Sequence, residues 1–234
     1  MRHSKKKNLI FTGGSKGIGY YLLKYLSQNF ICYNLSRSKS GLKNVIDIKC
    51  DVSKINEIKK AFQKIKNAEF LINCAGITID NKKNIIQNFS KIIQVNLNGT
   101  FFCCNEAKKI FKKNKSSSII NFASINGYVA FPNNPGYVTS KGGVLALTRS
   151  LALDYSKYNI RVNSISPGYI KEGMAKQSFE DVHKRKARTQ RMITKRFGEP
   201  SDLIGVIDLL MSERSSYING QDIVVDGGWL AKGL

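Results

Sequence analysis

Histidine is nearly absent from this 234-residue chain: His3 and His183 are the only two. A histidine-based catalytic triad or a histidine-rich metal cluster therefore has almost nothing to be built from, and no metal is expected. Cysteine occurs five times, as Cys32, Cys50, Cys74, Cys103 and Cys104, an odd number with no Cys-x-x-Cys. That excludes a disulfide framework and a thiolate zinc site, and the thiols, mostly inside apolar runs, read as reduced and buried in a cytoplasmic protein. No apolar run approaches membrane-spanning length, and the run at 9–11 behind the basic N-terminus is too short for a signal peptide. Acidic residues are also scarce, 16 Asp+Glu against 38 Lys+Arg, for a formal net charge of +22. Such a balance suits polyanions or acidic partners. Lysine far outnumbers arginine, however, and the excess also reads as a generally basic, solvated surface without a specific nucleic-acid site.

What the chain does have is alternation of strand-like and helix-like segments. Apolar residues make up 42% of it, enough for a substantial core. The run 9–12 reads as a buried strand. Thr12-Gly13-Gly14-Ser15-Lys16-Gly17-Ile18-Gly19 follows, then a helical pattern. Gly13 permits a tight turn, while Gly17 and Gly19 let the backbone approach a ligand and let helix pack on strand. Amides at the helix start can bind a pyrophosphate.

A second strand, 30–35, ends in Ser36-Arg37-Ser38. An acid here would bind ribose hydroxyls. Arg37 with Lys16 instead suits the 2′-phosphate of NADP. The third strand, 45–50, leads to Asp51-Val52-Ser53, where Asp51 can accept from an adenine amino group and Ser53 can cap a helix over 54–66. Strand four, 70–72, runs into Asn73-Cys74-Ala75-Gly76, small enough for close approach to a cofactor. A polar connection covers 77–88. Helical spacing begins at Phe89 and contains Asn96, unfavourable inside a helix unless its side chain is used.

The stretch 121–143 carries the candidate chemistry. Ser124 closes an apolar run at 118–123, and Tyr137 and Lys141 lie four residues apart on a helix expected over 135–158. At that spacing they share a face, and an ammonium beside a phenol lowers its pKa, making it a proton donor or acceptor near neutrality. Tyr-x-x-x-Lys also occurs on helices with no chemistry to perform. Gly142, Gly143 and Ala146 would let this helix pack tightly. A strand at 160–166 ends at Pro167-Gly168. A basic segment, 171–195, follows, and a helix bearing Leu203, Ile207 and Leu210 precedes the last strand, 222–225. Seven strands alternating with helices argue for an α/β Rossmann-type, doubly wound, three-layer α/β/α fold with a mostly or wholly parallel sheet. One domain is expected over 1–234, with 169–197 as a mobile substrate lid.

In order and spacing, TGGSKGIG at 12–19, CDVS at 50–53, NCAG at 73–76, VNLNG at 95–99, Ser124, YVTSK at 137–141, RVNSISPG at 161–168, RFGEP at 196–200 and VDGG at 225–228 resemble the short-chain dehydrogenase/reductase family. The resemblance spans nearly the whole chain. It implies a nicotinamide-dependent oxidoreductase in which Tyr137 is the general acid, Lys141 lowers its pKa and binds the nicotinamide ribose, Ser124 orients the carbonyl, and Asn96 holds a water of a proton relay. Gly13, Ser15, Lys16, Gly17, Ile18 and Gly19 form the implied cofactor loop. Arg37, Asp51, Val52, Asn73, Ala75, Gly76, Pro167, Gly168 and Ile170 complete the NADP(H) site. Within the family the chain looks most like the 3-oxoacyl-[acyl-carrier-protein] reductases of fatty-acid synthesis. A carrier protein is acidic and would suit the basic lid and Lys112-Lys113-Lys115. Homotetramers or homodimers are implied as well. Two departures stand out: Glu172 occupies a position where the family often has Thr, and the connection between Gly76 and Asn96 is short. An oxidoreductase acting on a sugar, a nucleotide-sugar intermediate or another small alcohol or ketone, or a cofactor-binding regulator without turnover, are the alternatives.

Overall fold

The computed structural model describes residues 6–79, 84–111 and 113–232. His3, Lys112 and residues 80–83 of the expected polar connection lie outside them. Strands β1 (Asn8–Thr12), β2 (Ile31–Ser36), β3 (Val45–Lys49), β4 (Phe70–Asn73), β5 (Ser117–Phe122), β6 (Ile160–Pro167) and β7 (Asp222–Val225) form one sheet. Its order is β3-β2-β1-β4-β5-β6-β7, and every pairing is parallel. A parallel sheet is covered on both faces, which explains the near-continuous apolar runs. Leu9, Ile10, Phe11, Ile119 and Ile120 expose no surface.

Helices supply the two outer layers. On one face, Ile58 and Phe62 of α2 (Ile55–Gln63), Cys103 and Phe111 of α4 (Gly99–Phe111), and Leu151 and Tyr155 of α5 (Pro135–Tyr155) share a cluster with Ile10, Leu71 and Ile119. On the other, Leu22 and Leu26 of α1 (Gly17–Leu26) and Ile207 and Leu210 of α8 (Ile204–Met211) pack with Leu9, Phe11 and Ile72. The chain order reverses between β1 and β4, so their carboxyl ends open the crevice at which ligands bind in such sheets.

Several expectations need correction. Ser53 does not cap α2: its hydroxyl donates to Asp51 Oδ1 at 2.7 Å, and the cap position falls to Lys54. The helix ends at Gln63 rather than 66. The helical segment expected from Phe89 starts earlier, as α3 (Ile85–Ile93), then widens into a π turn (Gln94–Asn98) before α4. Of the small residues in α5, Gly143 makes the close approach, since a Cβ there would stand 2.8 Å from Leu97; Ala146 is exposed. The basic segment at 171–195 contains two helices, α6 (Lys176–Glu180) and α7 (Val182–Arg191), the second capped by Asp181. Among the described residues, no helix is long and apolar enough to cross a membrane.

Candidate active site

The glycine loop lies at the end of β1, where the backbone must turn sharply and pass close to its neighbours. Gly13 has φ +79°, and a Cβ on it would fall 2.7 Å from Ala75 Cα. Gly19 has no room either, because its Cβ would meet the Gly13 carbonyl oxygen at 2.3 Å. Two side chains hold the loop. Thr12 Oγ1 accepts from the Ala75 amide at 3.2 Å, tying the ends of β1 and β4. Asn34 Oδ1 accepts from the Gly14 amide at 3.0 Å, while Asn34 Nδ2 donates to Asp47 at 2.7 Å. The sequence offered no sign of this buried support beyond an Asn inside an apolar strand.

Lys16, in the loop after β1, and Arg37, at the end of β2, are exposed. The Asp51 carboxyl is below its ordinary value. Burial alone would raise it, but the Ser53 hydroxyl and amide and the charges of Arg37 and Lys54 outweigh that. Arg37 therefore stands close enough to Asp51 to be felt by it. Val52 is buried in the core. Asn73 also turns inward: its Nδ2 donates to Asn121 Oδ1 at 3.0 Å and lies 3.2 Å from Cys104 Sγ. Neither side chain faces a ligand, so any contribution from these two positions to a cofactor site is through the backbone.

Ser124 follows β5 and caps a short turn, its Oγ accepting from the Asn126 amide at 3.2 Å. Tyr137 and Lys141 sit on α5 as their spacing requires. Lys141 Nζ donates to the Phe122 carbonyl at 2.6 Å and stands 5.6 Å from the Tyr137 ring centroid. Ser124 hydrogen-bonds the phenol and pulls its pKa down, but burial dominates and pushes Tyr137 up to about 12. Burial likewise pulls Lys141 down to about 8. The expected lowering of the phenol pKa by Lys141 is thus not what this structure has: desolvation keeps Tyr137 in its neutral, proton-donating form.

Asn96 lies in the π turn and is almost fully buried. Its Oδ1 accepts from the Ile77 amide at 2.8 Å, and its Nδ2 donates to the Ile77 carbonyl at 2.9 Å and to Ser140 Oγ at 3.1 Å. Ser140 in turn donates to the Tyr137 carbonyl. Both amide donors of Asn96 are spent on the protein, so this side chain joins the β4 loop to α5 at the foot of the Tyr137 turn. A Cβ on Gly76 would lie 3.5 Å from Asn96 Oδ1, 3.8 Å from Lys141 Nζ and 3.8 Å from Met174 Cε. Four elements therefore converge at Gly76.

Pro167 and Gly168 close β6, with the Gly168 amide bonded to the Val225 carbonyl. Ile170 is buried and bridges to Gly198. Glu172 is exposed. Next to it, Gly173 packs against the glycine loop, and a Cβ on Gly17 would stand 3.0 Å from Gly173 Cα. The loop suits a dinucleotide: its glycines let it pack against Ala75 and Gly173 with no Cβ between, and it leads into the N-terminus of α1, where backbone amides would meet phosphate oxygens. Residues 173–174 flank the same cleft at Gly17 and Gly76.

A strand–glycine loop–helix at a topological switch point, beside a phenol and an ammonium on one helix face, defines a dinucleotide-dependent oxidoreductase. A family model described as Enoyl-(Acyl carrier protein) reductase matches residues 25–230. The 3-oxoacyl-[acyl-carrier-protein] reductase MabA of Mycobacterium bovis is 31% identical over 229 residues, covering 95% of this chain and 92% of that protein. Among solved structures, the aldohexose dehydrogenase of Thermoplasma acidophilum superposes with a TM-score of 0.91 at 27% identity, over 98% of this chain and 96% of that one. ElxO with NADP bound gives 0.86 at 27%, over 97% and 100%. The chain belongs to the short-chain dehydrogenase/reductase family and is an NAD(P)-dependent oxidoreductase.

Proposed function

We propose that the chain reduces a 3-oxoacyl group, carried as a thioester on an acyl carrier protein, and that it prefers NADPH. The observation that carries this reading is the grouping of Ser124, a neutral, half-buried Tyr137 and Lys141 beside the glycine loop. The full-length likeness to a 3-oxoacyl-[acyl-carrier-protein] reductase supports the substrate class.

Gly13, Ser15, Lys16, Gly17, Ile18 and Gly19 would hold the pyrophosphate. Arg37 and Lys16 would hold the 2′-phosphate, Asp51 and the backbone of Val52 and Asn73 the adenosine half, and Ala75, Gly76, Pro167, Gly168 and Ile170 the nicotinamide half. A nicotinamide held there would supply the hydride that the carbonyl carbon accepts. Tyr137 donates its proton to the carbonyl oxygen, and Ser124 donates a hydrogen bond to the same oxygen. A phenol held at about 12 is fully protonated at neutral pH, and a Lys141 held at about 8 is mostly charged. The ammonium then offsets the phenolate left after transfer. Asn96 anchors the Tyr137 turn through Ser140 and would hold the water of the relay that returns the proton. An NADP-bound relative at 27% identity supports the cofactor preference, as do Arg37 and the lack of an acid after β2.

The chain acts as one domain in this reading, with 169–197 as the segment that closes over substrate. Exposed Phe101 on α4 and Leu153 on α5 favour assembly into a homodimer or homotetramer through those helices. A second reading, oxidation of an aldose, draws support from the aldohexose dehydrogenase likeness. NADPH consumption with acetoacetyl-pantetheine, set beside NADP+ reduction with an aldohexose panel and NADPH consumption with a crotonyl thioester, separates the readings. Turnover confined to the aldohexoses or to the enoyl thioester would reject the proposal. Cofactor binding with no turnover on any of them would favour a regulator.

A further inference from the structure

Helix α7 carries Arg185, Arg188 and Arg191 at three-residue steps, which puts them on neighbouring positions of one face. Each guanidinium sits over an aromatic ring: Arg185 over Phe179 at 5.2 Å, Arg188 over Tyr169 at 4.5 Å and Arg191 over Trp229 at 4.4 Å. Below them Phe131 stacks on Trp229, with centroids 5.5 Å apart. The cluster reaches Ile125, the residue after Ser124. The arginine row therefore roofs an aromatic floor that begins beside the candidate active site.

These charges are uncompensated. Among the described residues, no carboxylate forms an ion pair with Arg185, Arg188 or Arg191. Arg188 Nη1 is buried and has no hydrogen-bond partner. Behind Arg191, Lys195 and Lys232 both donate to the Gln190 carbonyl, so two ammoniums crowd one oxygen. Lys232 is held below its ordinary value, first by local desolvation and then by the charges of Lys195 and Arg191. A guanidinium stacked on a ring uses its face; Arg188 also hydrogen-bonds the Tyr169 hydroxyl, which leaves its Nη1 and the in-plane fork of Arg191 for an oxyanion.

We propose that the Arg188–Arg191 edge of α7, backed by Lys195 and Lys232, binds a phosphate group on the carbonyl substrate. The site deepens the reductase reading and rests on it only for its role in turnover. The phosphate can belong to a pantetheine arm or to a phosphorylated sugar, and the two sources share the chemistry recognised here.

Trp229 is the only tryptophan, so its fluorescence reports on the site without any turnover. Titration with inorganic phosphate and with pantetheine 4′-phosphate, at ionic strength held constant with sodium chloride, should give a saturable change. Arg191→Gln and Arg188→Gln should each weaken the midpoint by about tenfold or more, the loss of one charge-assisted hydrogen-bonded contact. Arg191 is exposed, so that variant does not put the fold at risk. No saturable change, or midpoints the same in both variants as in the parent, would overturn the site. In turnover, the ratio of KM for acetoacetyl-pantetheine to KM for acetoacetyl-pantetheine 4′-phosphate should fall by about the same factor in the variants. A ratio unchanged in both would overturn the role in substrate recognition. An effect of the variants seen with an aldohexose phosphate and not with the pantetheine pair would assign the phosphate to a sugar. If neither thioester is reduced, the thioester reading fails, while the phosphate titration still decides the site.

Discussion

Lys141 is held from two sides: it donates to the Phe122 carbonyl at 2.6 Å, and its ammonium stands 5.6 Å from the centre of the Tyr137 ring. Burial lowers it from 10.5 to about 8. Below about 8 both folded and unfolded chains hold the proton, and the folded one bears the cost of a buried charge. Between about 8 and 10.5 the unfolded chain binds more protons, so the contribution of Lys141 to stability rises with pH. Tyr137 works in the opposite sense, raised from 10.0 to about 12, and contributes stability that is lost as pH rises through that interval. Urea denaturation of the parent and of Lys141→Met across pH 7 to 10 should therefore show their difference moving in favour of the parent above about 8. A flat difference would contradict the burial of that charge. In turnover, kcat/KM for carbonyl reduction should fall on the alkaline side with a midpoint near 8, set by Lys141 rather than by Tyr137.

Asn96 makes three hydrogen bonds, two of them to the backbone of Ile77. Asn96→Ala leaves the Ile77 amide and carbonyl without these partners, a cost of about 2 kcal/mol, or roughly 5 °C in Tm for a chain of this size. Calorimetry checks it. An unchanged Tm would mean that the Asn96 clamp does not hold the β4 loop.

Gly19 leaves no room for a methyl group, since a Cβ would lie 2.3 Å from the Gly13 carbonyl oxygen. Gly19→Ala should displace the glycine loop and weaken NADPH binding by about a hundredfold or more, the scale of losing a well-placed set of charge-assisted contacts. Isothermal titration gives the answer directly, and binding within about threefold of the parent would mean that the loop does not hold the cofactor.

Arg37 is exposed at the end of β2, close enough to Asp51 to lower its pKa. Arg37→Ala should raise the Kd for NADPH about tenfold and leave NADH nearly untouched, as expected for loss of one exposed phosphate contact. Equal weakening of both cofactors would refute the 2′-phosphate role.

The strands were readable because a sheet covered on both faces demands unbroken apolar runs such as 9–11 and 118–123. The grouping of Tyr137 with Lys141 was readable because four residues is one helical turn. Other features depend on contacts between segments distant in sequence. The π turn around Asn96 is a slip in hydrogen-bond register that apolar periodicity does not record. Ser53 looked like a cap, but Asp51, two residues earlier, competes for its hydroxyl. The burial that raises Tyr137 comes from the whole surrounding fold, whereas the sequence displayed only the nearby lysine. Asp181 before Val182 was a readable cap for α7, hidden by the basic run behind it.

Tyr137 carries the proposed chemistry, and replacing its hydroxyl while keeping its ring is the most direct test. With acetoacetyl-pantetheine and NADPH, Tyr137→Phe should lower kcat by about a thousandfold or more, with Kd for NADPH within about twofold of the parent. Turnover in the variant within about tenfold of the parent, at unchanged cofactor affinity, would contradict proton donation by Tyr137.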